Sequence, residues 1–141
     1  MMGEKLKWGL IANGAIANAF ANSIKNSKTS ELKSVFGRNK FKLEAFAKKH
    51  KIISFNDLDS FLDSDLDAVY IATPHDSHFY YSLKCVRQNL HVLCEKPLTI
   101  NSSESMILIN EVQKRNVFLM EAFMYRCHPQ TFKVLELIEK H

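Results

Sequence analysis

A carboxylate, an ammonium and a proline stand in consecutive positions at Glu95-Lys96-Pro97, directly after the apolar run Leu90-His91-Val92-Leu93-Cys94. An ammonium partly withdrawn from water at the end of a strand could donate or accept a proton, because desolvation disfavours its charged form. Pro97 fixes the backbone beyond it, and a cis Lys96–Pro97 bond would re-aim the lysine. A plain charged loop is the competing reading, and spacing alone does not separate the two.

A second run, Gly9-Leu10-Ile11-Ala12-Asn13-Gly14-Ala15-Ile16-Ala17, carries small residues at the spacing of a phosphate-cradling turn. Against the pattern G-x-G-x-x-G/A, Gly14 takes the middle position and Ala17 the last, while Ala12 stands where the first glycine belongs. Gly14 would let the backbone approach a pyrophosphate. A helix starting near Ala15 would present its free N–H groups and its dipole to that charge. Ala17 would keep the helix close to a sheet. Ala12 departs from the pattern, since alanine at positive φ carries a steric cost that glycine does not. The alternative is a small-residue turn that only packs.

At the end of the next strand an Asp or Glu would accept a ribose 2′-hydroxyl. Here Gly37-Arg38 occupies that place, with Lys40 and Lys42 nearby. A small residue followed by a guanidinium leaves room for a 2′-phosphate and supplies a planar cationic donor to it. These residues predict a preference for NADP over NAD; a surface arginine at a helix start is the other possibility. Two more runs would wall the same crevice: Ala72-Thr73-Pro74-His75-Asp76-Ser77-His78, and Met120 to Pro129 with Arg126 inside it. His75/His78 and Cys127/His128 are conceivable metal ligands. No CxxC or HExxH spacing accompanies them, so loop and cap roles are expected and no metal is.

These groups can meet only if a fold gathers them. Strands are expected at Leu6–Ile11, Leu32–Phe36, Ile52-Ile53, Ala68–Ala72, Leu90–Cys94 and Val117–Met120. Helices are expected at Ala15–Ile24, Asn39–His50, Asp57–Leu62, Ser77–Gln88, Ser103–Arg115 and Gln130–Lys140. Apolar spacing places Phe41, Ala45 and Phe46 on one face of the second helix. It places Met106, Ile107, Ile109 and Val112 on the fifth, and Phe132, Leu135 and Ile138 on the last. One helix per strand, with a continuous apolar run at Ala68–Ala72, argues for parallel strands joined by right-handed crossovers. The fold class is α/β, a doubly wound parallel sheet, whose ligands bind at the carboxyl ends of the strands.

Composition agrees. With 141 residues, 46% hydrophobic and 24% charged, the chain is neither disordered nor collagen-like. Its longest apolar runs fall far short of a membrane span, and Met1-Met2-Gly3 opens no signal peptide, so neither membrane nor export is expected. Three unpaired cysteines, Cys85, Cys94 and Cys127, fit reduced thiols in the cytoplasm. The net charge of +4 is spread along the chain, as on a solvated surface rather than a nucleic-acid face.

Taken together, the runs Ala72-Thr73-Pro74-His75 to His78, His91-Val92-Leu93-Cys94-Glu95-Lys96-Pro97-Leu98 and Glu121-Ala122-Phe123-Met124-Tyr125-Arg126 resemble the Gfo/Idh/MocA oxidoreductases. The likeness is to their N-terminal Rossmann half, and within it to the dihydrodiol and sugar dehydrogenase branch. It implies binding of NAD(P), hydride exchange at nicotinamide C4, and a sugar or diol hydroxyl, or the matching carbonyl, as substrate. By resemblance Lys96 contacts the substrate oxygen and helps catalysis, while a histidine of a second domain is the principal acid/base. The glycine-rich turn maps to Ala12, Asn13, Gly14 and Ile16, and the 2′-phosphate site to Gly37, Arg38 and Lys42. Thr73, Pro74, His78, Glu95, Lys96 and Arg126 match cofactor-side positions.

Members of the family are longer, with a C-terminal α/β domain that carries the substrate pocket. The expected organisation is a dinucleotide domain over residues 1–125, with 126–141 leading towards such a domain, which this chain lacks. A cofactor domain alone should bind NADP(H) and turn over little, and it should expose a docking face through which it could self-associate. A non-catalytic dinucleotide-sensing or interaction module is the alternative, because fold resemblance establishes a reaction less firmly than an architecture.

Overall fold

The computed structural model describes residues 4–140; Met1–Gly3, where no leader is expected, and His141 lie outside the described residues. Strands and helices alternate: β1 (Leu6–Ile11), α1 (Ala15–Ser23), β2 (Ser30–Phe36), α2 (Lys40–His50), β3 (Ile53–Phe55) and α3 (Leu58–Leu62). Then follow β4 (Ala68–Ile71), α4 (His78–Arg87), β5 (His91–Cys94), α5 (Ser102–Arg115), β6 (Leu119–Glu121) and α6 (Pro129–Glu139). All strand pairs are parallel, in the order β3-β2-β1-β4-β5-β6. The chain reverses its direction of travel across the sheet between β1 and β4, which opens a crevice at their carboxyl ends.

Local chemistry accounts for the element boundaries. Asn39 caps α2 by accepting from the Lys42 amide at 3.0 Å, Asp57 caps α3 from Ser60 at 2.8 Å, and Asn101 caps α5 from Glu104 at 2.9 Å. Lys51 and Asn116 end α2 and α5 in the left-handed conformation. Alternate strand residues feed two cores. Leu10, Val35 and Tyr70 pack under α1 and α2, whereas Ile11, Phe36, Val69, Ile71 and Val92 pack under α3, α4 and α5. Gly9 allows α3 to sit close to the sheet: a Cβ there would lie 2.6 Å from both Leu66 Cδ1 and Phe61 Cζ.

Three helix faces differ from expectation. The buried stripe of α2 is Leu43, Phe46, Ala47 and His50, while Phe41, 86% exposed, and Ala45 lie on the opposite, solvent face of the helix. In α5 only Leu108 is fully buried, with Val112 packed beside it. Met106, Ile107 and Ile109 face solvent, because α5 meets the core along one narrow stripe rather than a broad face. Phe132, Leu135 and Ile138 of α6 are all exposed. Among the described residues, no helix is long and apolar enough to cross a membrane.

Candidate dinucleotide-binding site

A cavity of about 480 Å³ opens at the carboxyl ends of β1, β2 and β4. Ile11, Ala12 and Asn13 form one wall, and Phe36, Gly37, Arg38, Asn39 and Lys42 a second. Thr73, Pro74, Asp76, Ser77 and Tyr81 close the third. Ala12 has φ 124°, the left-handed range in which alanine is strained, and its amide donates to the Phe36 carbonyl at 3.1 Å.

Gly14 is the N-cap of α1 at φ −83°, a conformation open to any residue. A Cβ there would meet no atom within 4 Å, so nothing in the chain itself requires a glycine. No side chain caps α1 and no acid stands in its first turn, which leaves the helix N-terminus available to an anion. Behind the turn, Asn18 Nδ2 donates to the Gly14 carbonyl at 3.0 Å. Its Oδ1 accepts from Lys49 Nζ at 2.8 Å and from His50 Nε2 at 3.0 Å, tying the turn to the end of α2. Burial, and then the charges of Lys25 and Lys49, hold the His50 pKa below its ordinary value.

Arg38 and Lys42 are exposed over the cavity, and neither enters an ion pair among the described residues. A Cβ at Gly37 would lie 3.3 Å from Leu43 Cδ1 and 3.4 Å from Asn13 Nδ2, so the glycine makes room for the Asn13 amide. Tyr81 is buried at the cavity wall; desolvation raises its pKa, and Arg38 opposes that rise. Ser77 Oγ lies 2.9 Å from Thr73 Oγ1 and 2.8 Å from the Pro74 carbonyl, which fixes the loop after β4. His78 is fully buried behind that loop. Its Nδ1 is 2.7 Å from the Pro97 carbonyl and its Nε2 is 2.9 Å from the Thr73 carbonyl. Both ring nitrogens therefore face backbone carbonyls of the loops after β4 and β5, and whichever carries the proton donates to its loop.

The remaining expected residues lie farther along the same edge, outside the cavity. Glu95 accepts from the Tyr70 hydroxyl at 2.5 Å, and burial followed by this bond raises the tyrosine pKa. Lys96 is exposed and its bond to Pro97 is cis. The partial desolvation expected for Lys96 is not supplied by the described residues, among which it is exposed. Glu121 accepts from the Leu98 amide at 2.8 Å and pins that loop to β6. Arg126 is exposed in a short 3-10 turn, Met124–Cys127, and Ile16 is 53% exposed in the first turn of α1. The Cys94 thiol, behind Glu95, is pushed up to about 12 by burial and is unsuited to nucleophilic work. Among the described residues, no three His, Cys, Asp or Glu side chains are grouped to hold a metal.

The structure thus gathers Ala12, Asn13, Gly37, Arg38, Lys42, Thr73 and Pro74 around one cavity, with Gly14 at the start of α1 beside it. Sequence reasoning missed Tyr81 as a lining residue and the Tyr70–Glu95 bond, and placed Asp76 and Ser77 only within a run expected to wall the crevice. Tyr81 was recoverable in part, being three residues after His78 on the same face of α4.

A family model described as an oxidoreductase family with an NAD-binding Rossmann fold, Gfo/Idh/MocA, matches residues 6–123. Trans-1,2-dihydrobenzene-1,2-diol dehydrogenase of Xenopus laevis is 34% identical over 140 residues, covering 95% of this chain and 42% of that protein. The 3-ketoreductase KijD10 of Actinomadura kijaniata, in complex with NADP and TDP-benzene, superposes with a TM-score of 0.90 at 25% identity. That match covers 97% of this chain and 43% of the other. The WlbA dehydrogenase of Chromobacterium violaceum, in complex with NADH and UDP-GlcNAcA, shares the fold with a TM-score of 0.81 at 23% identity, covering 86% of this chain and 36% of the other. The chain spans less than half the length of the curated relatives it matches.

Proposed function

This chain belongs to the Gfo/Idh/MocA oxidoreductase family, as its NAD(P)-binding Rossmann domain, and on that premise we propose that it holds NADP(H) for hydride exchange with a sugar or diol substrate. The observation that carries the proposal is Gly14: a glycine without a steric reason inside the fold, at an uncapped helix N-terminus beside the cavity. A ligand backbone pressed against the turn supplies that reason.

The Gly14 turn and the amides opening α1 bind a pyrophosphate. Arg38 and Lys42, exposed over the cavity, neutralise a ribose 2′-phosphate. Thr73 and Pro74 line the wall, and His78 keeps that wall and the Lys96 loop in register. Bound nicotinamide supplies or accepts the hydride at its C4. Lys96, which follows Glu95 at the end of β5, faces the nicotinamide half and handles a proton at the substrate oxygen, and Arg126, after β6, contributes to the cofactor side. Rate depends on holding the substrate carbon against the cofactor, and these residues provide the cofactor side only. The chain by itself therefore binds NADP(H) and turns over little, and residues 126–141 lead towards the substrate domain.

Binding tests this directly. Energy transfer from Trp8, the one tryptophan, to bound NADPH or NADH gives both affinities, with calorimetry as a check. Gly14→Val should abolish binding of both cofactors with the melting temperature unchanged. Arg38→Ala should weaken NADPH by about tenfold or more, the value of a charge-assisted hydrogen bond, and NADH little. Equal wild-type affinities would refute the NADP preference, and binding of neither would refute the whole proposal.

A further inference from the structure

The Gly14 carbonyl, at the N-cap of α1, accepts twice from one residue. The Asn18 amide donates to it at 3.0 Å as the opening bond of the helix, and Asn18 Nδ2 donates to it at 3.0 Å as well. The peptide unit joining Gly14 to Ala15 is planar and trans, so its N–H points opposite to its C=O. Holding the carbonyl inward along the helix therefore aims the Ala15 N–H outward, from an N-terminus that no side chain caps.

The Asn18 side chain is itself held from behind, and its partners fix which way round it lies. A backbone carbonyl can only accept and an ammonium can only donate. With Nδ2 on the Gly14 carbonyl, Oδ1 is left for Lys49 Nζ at 2.8 Å and His50 Nε2 at 3.0 Å. His50 Nε2 must then carry the ring proton. Nδ1, buried without a partner, is the bare nitrogen, and a second proton there would be an N–H with no acceptor. The ring is buried and packs against Phe46 at 4.5 Å between centroids. It lines a small cavity with Lys5, Lys25 and Glu31, and Glu31 is paired with Lys33 at 3.3 Å. Burial, and then the charges of Lys25 and Lys49, disfavour the doubly protonated ring. A brace thus runs from the last turn of α2 to the first turn of α1, with every polar role in it determined.

We infer that Asn18 is a positioning residue for the dinucleotide turn, locked in place by His50 as its neutral Nε2–H tautomer. The inference rests on the dinucleotide binding proposed above, and it concerns how the turn is aimed rather than what touches the ligand: neither Asn18 nor His50 lines the main cavity. A turn already fixed spares the ligand the cost of ordering it. That benefit falls on the part of the cofactor common to NADPH and NADH, so loss of the brace weakens both alike, whereas a change at Arg38 separates them.

Calorimetric titration with NADPH and NADH, well below the melting temperature of each variant, tests this on wild type, Asn18→Ala, Asn18→Asp, His50→Leu and His50→Gln. Asn18→Ala should weaken both cofactors by about three- to tenfold, the value of one neutral hydrogen bond, and leave their ratio unchanged. Asn18→Asp, which has no donor for the Gly14 carbonyl, should lose at least as much. His50→Leu should lose about threefold or more on both, and His50→Gln should stay within about twofold of wild type, because a glutamine amide can donate to Asn18 Oδ1. Nitrogen NMR of the imidazoles in the unliganded wild type should show the Nε2–H tautomer at His50. Wild-type affinity in Asn18→Ala, a loss confined to NADPH, an Nδ1–H tautomer, or a glutamine that fails as leucine does would each overturn the inference. If Gly14→Val abolishes binding while Asn18→Ala is silent, the brace is refuted and the dinucleotide proposal stands. If the wild type binds neither cofactor, both fail.

Discussion

Ala12 offers the sharpest test of how the turn is built, because one methyl group sits where the backbone disfavours it. At φ 124° an alanine is strained by about 1–3 kcal/mol, a penalty that glycine escapes. Two terms oppose the gain in Ala12→Gly. The unfolded chain acquires extra freedom worth about 0.4–1 kcal/mol. The methyl group, half-buried at the cavity wall, gives up less than the roughly 0.8 kcal/mol of a fully buried one. The amide bond to the Phe36 carbonyl survives the change, since it is made by the backbone. The net effect is a stabilisation of about 1 kcal/mol, or about 4 °C in melting temperature for a domain of this size.

Urea unfolding followed by the fluorescence of Trp8 measures this quantity. Trp8 lies in β1, next to the turn, and its ring packs edge-on against Phe20 at 5.5 Å between centroids. The midpoint should rise with an unchanged slope, which would place the effect in stability rather than in the unfolded ensemble. A variant less stable than wild type by 1 kcal/mol or more would refute the reasoning, because it would mean that Ala12 is unstrained in solution and the turn is shaped differently.

Two further substitutions probe the scaffold behind the site. Gly9→Ala drives a Cβ to 2.6 Å from Leu66 Cδ1 and from Phe61 Cζ, and Phe61 is fully buried, so a loss of about 1–3 kcal/mol is expected in the same urea assay. A neutral result would show that α3 can move away from the sheet at no cost. His50 should make stability depend on pH. Its folded pKa lies below the ordinary 6.5, so between the two values the unfolded chain binds the proton that the folded one refuses. The stabilisation is fully present above pH 6.5 and declines as the pH falls towards the folded value. Melting temperatures from pH 8 down to about 5 should therefore drop more steeply in wild type than in His50→Gln. Parallel curves would remove His50 as the cause.

What could be read from the sequence follows the range of the interactions involved. Capping of α2 by Asn39 is written within four residues, and the parallel sheet follows from a repeating pattern, so both were legible. The positive φ of Ala12 was also legible, because a known turn geometry demands it. Contacts between distant segments were not. His78 meets the carbonyl of Pro97, 19 residues on, and Tyr70 meets Glu95, 25 residues on; nothing local announces either. Hence the sequence did not show that both ring nitrogens of His78 face loop carbonyls. The exposed faces of α5 and α6 were misplaced for a related reason: apolar spacing marks a stripe but does not say whether any partner covers it.

The crevice is unequal along its length, and hydrogen-bond satisfaction explains why. After β5 and β6 the carboxylates already have partners: Glu95 holds the Tyr70 hydroxyl and Glu121 the Leu98 amide. Neither forms an ion pair with Lys96 among the described residues, so these acids shape the loop instead of neutralising the lysine. Around the cavity after β1 and β2 the groups left over are donors and cations: the opening amides of α1, Arg38 and Lys42, against the single lining carboxylate of Asp76. If the proposed cofactor lies along that edge, the free donors meet its charged end and its other end comes to Lys96.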